Sequence, residues 1–126
     1  YFSLLIMFLI VVIEDEAMLR ANLAKMLQIK GCKVIEATDG KDAVQQLELV
    51  QPDLIICDRM MPLMDGMEVL EWVRQQERLN TVPFVFLTAR AEQPDQEMAM
   101  QAGAQAYITK PFVFSNLWAT VQELLA

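Results

Sequence analysis

From Leu4 to Ile13 every residue of the chain is apolar, and Glu14, Asp15 and Glu16 follow without a spacer. This run is well short of the roughly 20 residues a membrane-spanning helix needs. No basic residue precedes Arg20, and acids stand where a signal peptide would carry its cleavage site. The run therefore reads as a buried strand over Phe8–Ile13. Similar β-rich runs recur at Lys33–Ala37, Asp53–Cys57, Pro83–Leu87 and Ala106–Thr109. Between them lie segments with helical spacing: Ala17–Lys30, Lys41–Val50, Met67–Glu77, Gln96–Ala102 and Ser115–Leu125. Gly31 and Gly103 stand where helices end, and Ser115 is placed to cap the last one. Strand and helix alternate five times, which predicts a parallel sheet covered by helices on both faces. A strand buried on both faces has no solvent side to alternate toward, so its sequence is apolar throughout.

In such sheets ligands gather beyond the carboxyl ends of the strands, where the strand order reverses. Strand one runs into Glu14 and Asp15, strand three into Asp58, strand four into Thr88 and strand five into Lys110. Strand two delivers only Thr38 and Asp39. A doubly wound order of 2-1-3-4-5 makes strands one and three central neighbours, so their acids converge at the switch point. Three carboxylates held together repel unless a cation intervenes. With oxygen donors alone, the set suits a hard ion such as Mg²⁺, which prefers one or two carboxylates plus waters and phosphate oxygens. Lys110 is a point charge for a phosphate, Thr88 adds a hydroxyl, and a carboxylate remains as nucleophile.

Composition narrows the chemistry further. The net charge is -7 over 126 residues, which argues against direct nucleic-acid binding. The chain has no histidine, so Ser/His and Cys/His pairs and imidazole metal sites are excluded. Its four glycines form neither GxGxxG nor GxxxxGK[ST], which removes the nucleotide cradles of those types. Cys32 and Cys57 sit in apolar patterns without CxxC spacing, and read as buried free thiols in a reducing, cytoplasmic setting. No linker, low-complexity tail or repeat interrupts the chain, so a single domain is expected.

The stretches "VVIEDE", "LIICDRMMPLMDGMEVL", "FVFLTAR" and "GAQAYITKPF", in this order and spacing, resemble the receiver domain of two-component response regulators over about residues 7–126. The resemblance implies a flavodoxin-like (βα)₅ fold with sheet order 2-1-3-4-5. It makes Asp58 the phosphoacceptor, attacking the phosphohistidine of a histidine kinase or phosphotransfer protein, and implies a signalling module rather than an enzyme. Asp15, Asp58 and the Met60 backbone carbonyl would hold Mg²⁺, with Glu14 acting through water. Thr88 and Lys110 would hold the phosphoryl oxygens. Lys110-Pro111 matches the family's Lys-Pro pair, whose bond is expected cis. Thr88 and Tyr107 would switch the face formed by helix four, strand five and helix five, which is also the expected homodimer face. The acidic pair is Glu-Asp where the family commonly has Asp-Asp, and Met60 and Arg90 lie where it tunes phosphate lifetime.

Plainer readings stand beside these. An isolated Asp after a strand is usually a helix cap, and Asp65-Gly66 reads as turn chemistry. Met60, Met61, Met64 and Met67 resemble a thioether cluster but suit gap filling around a loop. Trp118, at helical spacing with Leu117, Val121 and Leu125, reads as packing. Two rival functions are a degenerate receiver serving only for docking and a Mg²⁺-dependent phosphatase. The intact acids oppose the first. The second lacks the acid that a haloacid-dehalogenase-like site needs two residues after its nucleophile, where Met60 stands. Residues 1–6 exceed the family pattern and are expected to be an extension, with Met7 the expected natural start.

Overall fold

The computed structural model describes residues 7–126, so the expected extension over residues 1–6 lies outside the described residues. In chain order the elements are β1 (Leu9–Ile13), α1 (Ala17–Ile29), β2 (Lys33–Ala37), α2 (Gly40–Leu47), β3 (Leu54–Cys57), α3 (Gly66–Gln75), β4 (Phe84–Thr88), α4 (Gln93–Gln101), β5 (Ala106–Thr109) and α5 (Phe114–Leu125). All strands are parallel, in the order β2-β1-β3-β4-β5. The predicted doubly wound architecture is therefore the one observed. No helix among the described residues is long and apolar enough to cross a membrane.

Strand residues of alternate parity feed two separate cores. Val11, Ile13, Ile55, Cys57, Phe84 and Phe86 pack with Ala43, Leu47, Val69, Leu70, Val73 and Ala99, which come from α2, α3 and α4. Ile10, Val12, Leu54, Ile56, Val85 and Leu87 pack with Leu23, Leu27, Leu117 and Val121 from α1 and α5. The central strands are apolar at every position because both faces are covered. Cys32 and Cys57 are buried free thiols, as expected. Trp118 packs against the second core and stacks on Phe114.

Several acids of the strand-to-helix loops cap helices. Glu16 accepts from the Leu19 amide to open α1, and Asp39 accepts from the Asp42 amide to open α2. Asp65 and Glu68 form a reciprocal capping box at α3, so Asp65-Gly66 is a helix start rather than a free turn. Gly66 is required there: a Cβ would collide with the Asp58 carbonyl oxygen and the Arg59 Cα. Gly31 and Gly103 have φ of 96° and 109°, past the ends of α1 and α4.

Some helix ends differ from expectation. Ser115 lies inside α5, whose N-cap is Val113 with no side-chain cap bond. Helix α4 starts at Gln93, ahead of the predicted Gln96, because Pro94 falls in the first turn, where its missing N–H forfeits nothing. Helix α2 stops at Leu47 rather than Val50. Of the methionines near β3, Met61 is buried and Met64 and Met67 pack on the core, but Met60 is exposed.

Candidate functional site

The register of the sheet sets the site. Ile13 pairs with Cys57, and the ladder extends one step through the Asp58 amide, which donates to the Ile13 carbonyl at 3.0 Å. Glu14 and Asp58 therefore leave adjacent central strands at the same level. Thr88 ends β4, and the Lys110 amide donates to its carbonyl at 2.8 Å, so Lys110 follows β5 onto the same edge. The Lys110–Pro111 bond is cis.

Each of Glu14, Asp15 and Asp58 offers a carboxylate oxygen within 4.8 Å of the others. Glu14 is 3% exposed and Asp58 7%, while Asp15 opens to solvent. The Lys110 ammonium lies between the two buried acids, 2.8 Å from Glu14 Oε1 and 3.0 Å from Asp58 Oδ2. Each buried acid also takes a main-chain donor. The Glu16 amide reaches Glu14 Oε2 at 3.0 Å, and the Met60 amide reaches Asp58 Oδ1 at 3.0 Å. Arg20 donates to the Glu14 carbonyl at 2.8 Å and fixes the backbone behind the acid.

Burial raises the Glu14 carboxyl above its ordinary value, outweighing the lowering by Lys110 and the Glu16 amide, while the Asp58 charge adds to the rise. For Lys110, burial alone pulls the ammonium down. Its bonds to Glu14 and Asp58 and their charges win, and the net direction is up. The lysine is thus held charged while the acids around it are not fully compensated: three carboxylates against one ammonium leave two negative charges when all are ionised. An oxygen-only donor set with a deficit of two charges fits a hard divalent cation.

Thr88 is fully buried, and its Oγ1 accepts from the Arg90 amide at 3.2 Å. Tyr107 is half-buried against Phe86, and its hydroxyl donates to the Arg90 carbonyl at 2.7 Å. The two expected switch residues thus meet on the two sides of one peptide segment in the β4–α4 loop. A cavity of about 380 Å³ opens on the loop that follows Asp58, lined by Arg59, Met60, Met61, Pro62, Asp65 and Arg90.

Sequence reasoning missed Arg59, which is buried although charged, and its partner Asp95 on α4. No spacing rule separates a buried arginine from a solvated one next to a strand end. It also missed Leu63, exposed in the β3–α3 loop with a φ of 70°.

The sequence profile described as "Response regulator receiver domain" matches residues 10–122. The chain is 38% identical over 116 residues to the alkaline phosphatase synthesis transcriptional regulatory protein PhoP of Bacillus subtilis, covering 92% of this chain and 48% of that protein. It spans about half the length of the curated relatives it matches. Chemotaxis protein CheY4 of Vibrio cholerae superposes with a TM-score of 0.90 at 29% identity, covering 95% of this chain and all of that one. The receiver domain of sensor histidine kinase PA1611 from Pseudomonas aeruginosa PAO1, a structure with magnesium coordinated in the active-site cleft, gives a TM-score of 0.87 at 32% identity. Coverage there is 95% of this chain and 98% of the other. The profile match, the sheet order and the acids at its carboxyl edge agree, and the chain belongs to the response regulator receiver domain family.

Proposed function

We propose that this domain accepts a phosphoryl group on Asp58 from a phosphohistidine of a histidine kinase or phosphotransfer protein, and signals through the face formed by α4, β5 and α5. The observation that carries this reading is the Lys110 bridge between Glu14 and Asp58, with Asp15 completing an acid triad at the switch point. Glu14, Asp15, Asp58 and the Met60 carbonyl would hold Mg²⁺, which when bound supplies charge neutralisation for the incoming phosphoryl oxygens. The magnesium in the cleft of the Pseudomonas receiver supports that assignment.

In the transfer, an Asp58 carboxylate oxygen attacks phosphorus as the P–N bond breaks, and the departing imidazole takes up a proton. Both Asp58 oxygens start engaged, one with Lys110 and one with the Met60 amide. Lys110 then serves the new phosphoryl oxygens, and the Thr88 hydroxyl turns to them, giving up the Arg90 amide. Because the Tyr107 hydroxyl holds the carbonyl of the same residue, the Thr88 movement is felt at Tyr107 and on the α4-β5-α5 face, the face through which a homodimer would form. Two unpaired buried thiols support a cytoplasmic setting. The rival of a phosphorylation-independent docking module has no use for an uncompensated acid cluster.

Incubation with acetyl phosphate and Mg²⁺ tests the proposal. Wild type should gain one acid-stable, base-labile phosphoryl group by intact mass, and Asp58→Asn none. Equal labelling of the two would overturn it. No labelling of either, and no response to beryllofluoride, would favour the docking module.

A further inference from the structure

Helix α4 is weakly anchored. It buries a single residue, Ala99, whereas α1 buries Leu23, Ala24 and Leu27, and α3 buries Gly66, Val69, Leu70 and Val73. Its N-cap, Glu92, makes no side-chain cap bond. The first turn is held instead from outside. Arg59, the residue after Asp58, sends its guanidinium across to α4, where Nη1 donates to the Asp95 main-chain carbonyl at 2.6 Å and Nη2 lies 3.8 Å from Asp95 Oδ1. The other carboxylate oxygen of Asp95 lies 3.7 Å from Arg90 Nε. Arg90 is two residues past Thr88 and offers its amide to that hydroxyl. One acid in the first turn of α4 is therefore gripped by two arginines, one from the loop that follows Asp58 and one from the loop that follows Thr88.

The Arg59 grip is built rather than incidental. The Arg59 side chain is 7% exposed, and a guanidinium leaves water only where its donors are met. Its backbone is fixed as well: the Gly66 amide donates to the Arg59 carbonyl at 2.9 Å, and the Met60 amide donates to Asp58 Oδ1. Any shift of the Met60 amide as Asp58 changes its bonding moves the peptide that carries Arg59.

We propose that Arg59 and Asp95 are a positioning pair that couples the state of Asp58 directly to the first turn of α4, separately from the path through Thr88 and Tyr107. The coupling rests on the phosphoacceptor reading above. It gives α4 a second input, so the output face responds to the loop of the acceptor itself as well as to the switch residues.

Beryllofluoride with Mg²⁺ serves as the probe, with binding read by ¹⁹F NMR and the response of α4 by amide shifts over residues 93–101. Arg59→Gln and Asp95→Asn should bind beryllofluoride as wild type does but lose about half or more of the α4 response, and the double variant should lose no more than the worse single. Arg59→Lys, which keeps charge and donors, should retain more of the response than Arg59→Gln. A full α4 response in Asp95→Asn, whose side chain is partly exposed, overturns the coupling and leaves the phosphoacceptor reading intact. Loss of beryllofluoride binding in Asp95→Asn also overturns it, because the pair then acts on the site rather than on α4. Absence of binding in wild type overturns the phosphoacceptor reading and the coupling together.

Discussion

Glu14 shows how one residue carries the tension of the site. It is nearly sealed from solvent, takes a bond from Lys110 and another from the Glu16 amide, and still has its carboxyl raised, because burial dominates and Asp58 adds to it. The consequence for stability has a definite sign. The folded state holds the Glu14 proton more tightly than the unfolded chain, so this contribution is fully present below the ordinary value of 4.5 and is lost as pH rises through the raised folded value. Urea unfolding of metal-free protein should therefore show stability falling across that window, and Glu14→Gln should make the fall shallower. Identical slopes for wild type and variant would remove Glu14 as the cause. That Glu14 and Asp58 meet was legible in the sequence, since both follow apolar runs of adjacent central strands. That Lys110 joins them at the same edge was legible as well, but that it bridges the two buried acids was not, because the pattern does not encode where a side chain points.

At the scale of elements, the loop between β3 and α3 carries strain that neither flanking element needs. Leu63 sits at a φ of 70°, where a Cβ crowds the backbone, and its side chain is 90% exposed, so packing returns nothing for the distortion. Asparagine or glycine adopts this conformation more readily. Leu63→Asn or Leu63→Gly should stabilise the fold by about 0.5–1 kcal/mol, read from the midpoint of urea unfolding at unchanged slope. Destabilisation by both would mean that Leu63 makes a contact worth more than the strain. Element identity was readable from the chain because helical spacing and doubly buried strands differ in period. Boundaries were less so: Pro94 belongs to the first turn of α4 although proline usually reads as a break, and Ser115 lies within α5 although serine usually reads as a cap. Pro94 suits a first turn because its missing N–H forfeits nothing there, whereas α5 begins ahead of Ser115 with no side-chain cap bond at all.

Over the whole molecule, the sheet gathers charge at one edge that the fold alone does not neutralise. Two sets of loop acids stand out: Glu16, Asp39 and Asp65 satisfy helix amides, while Glu14, Asp15 and Asp58 face one another, with Lys110 between Glu14 and Asp58. Strand order was enough to bring Glu14, Asp15 and Asp58 together in the sequence, and Asp65-Gly66 read as a turn, but that Glu16, Asp39 and Asp65 cap helices depends on side-chain direction, which the pattern does not encode. A cation that binds the converging set only in the folded state stabilises that state by mass action, about 2.7 kcal/mol at a free concentration 100 times its dissociation constant. For a domain of this size that corresponds to a rise in Tm of roughly 10 °C. Mg²⁺ should therefore raise the thermal midpoint of wild type in a saturable way. Asp15→Asn removes one donor that is exposed and free of Lys110, so it should leave the metal-free midpoint near wild type while losing most of the Mg²⁺ increment. An undiminished increment in Asp15→Asn would mean that the ion acts elsewhere on this acidic surface, since general screening by a divalent salt does not depend on one carboxylate at the end of β1.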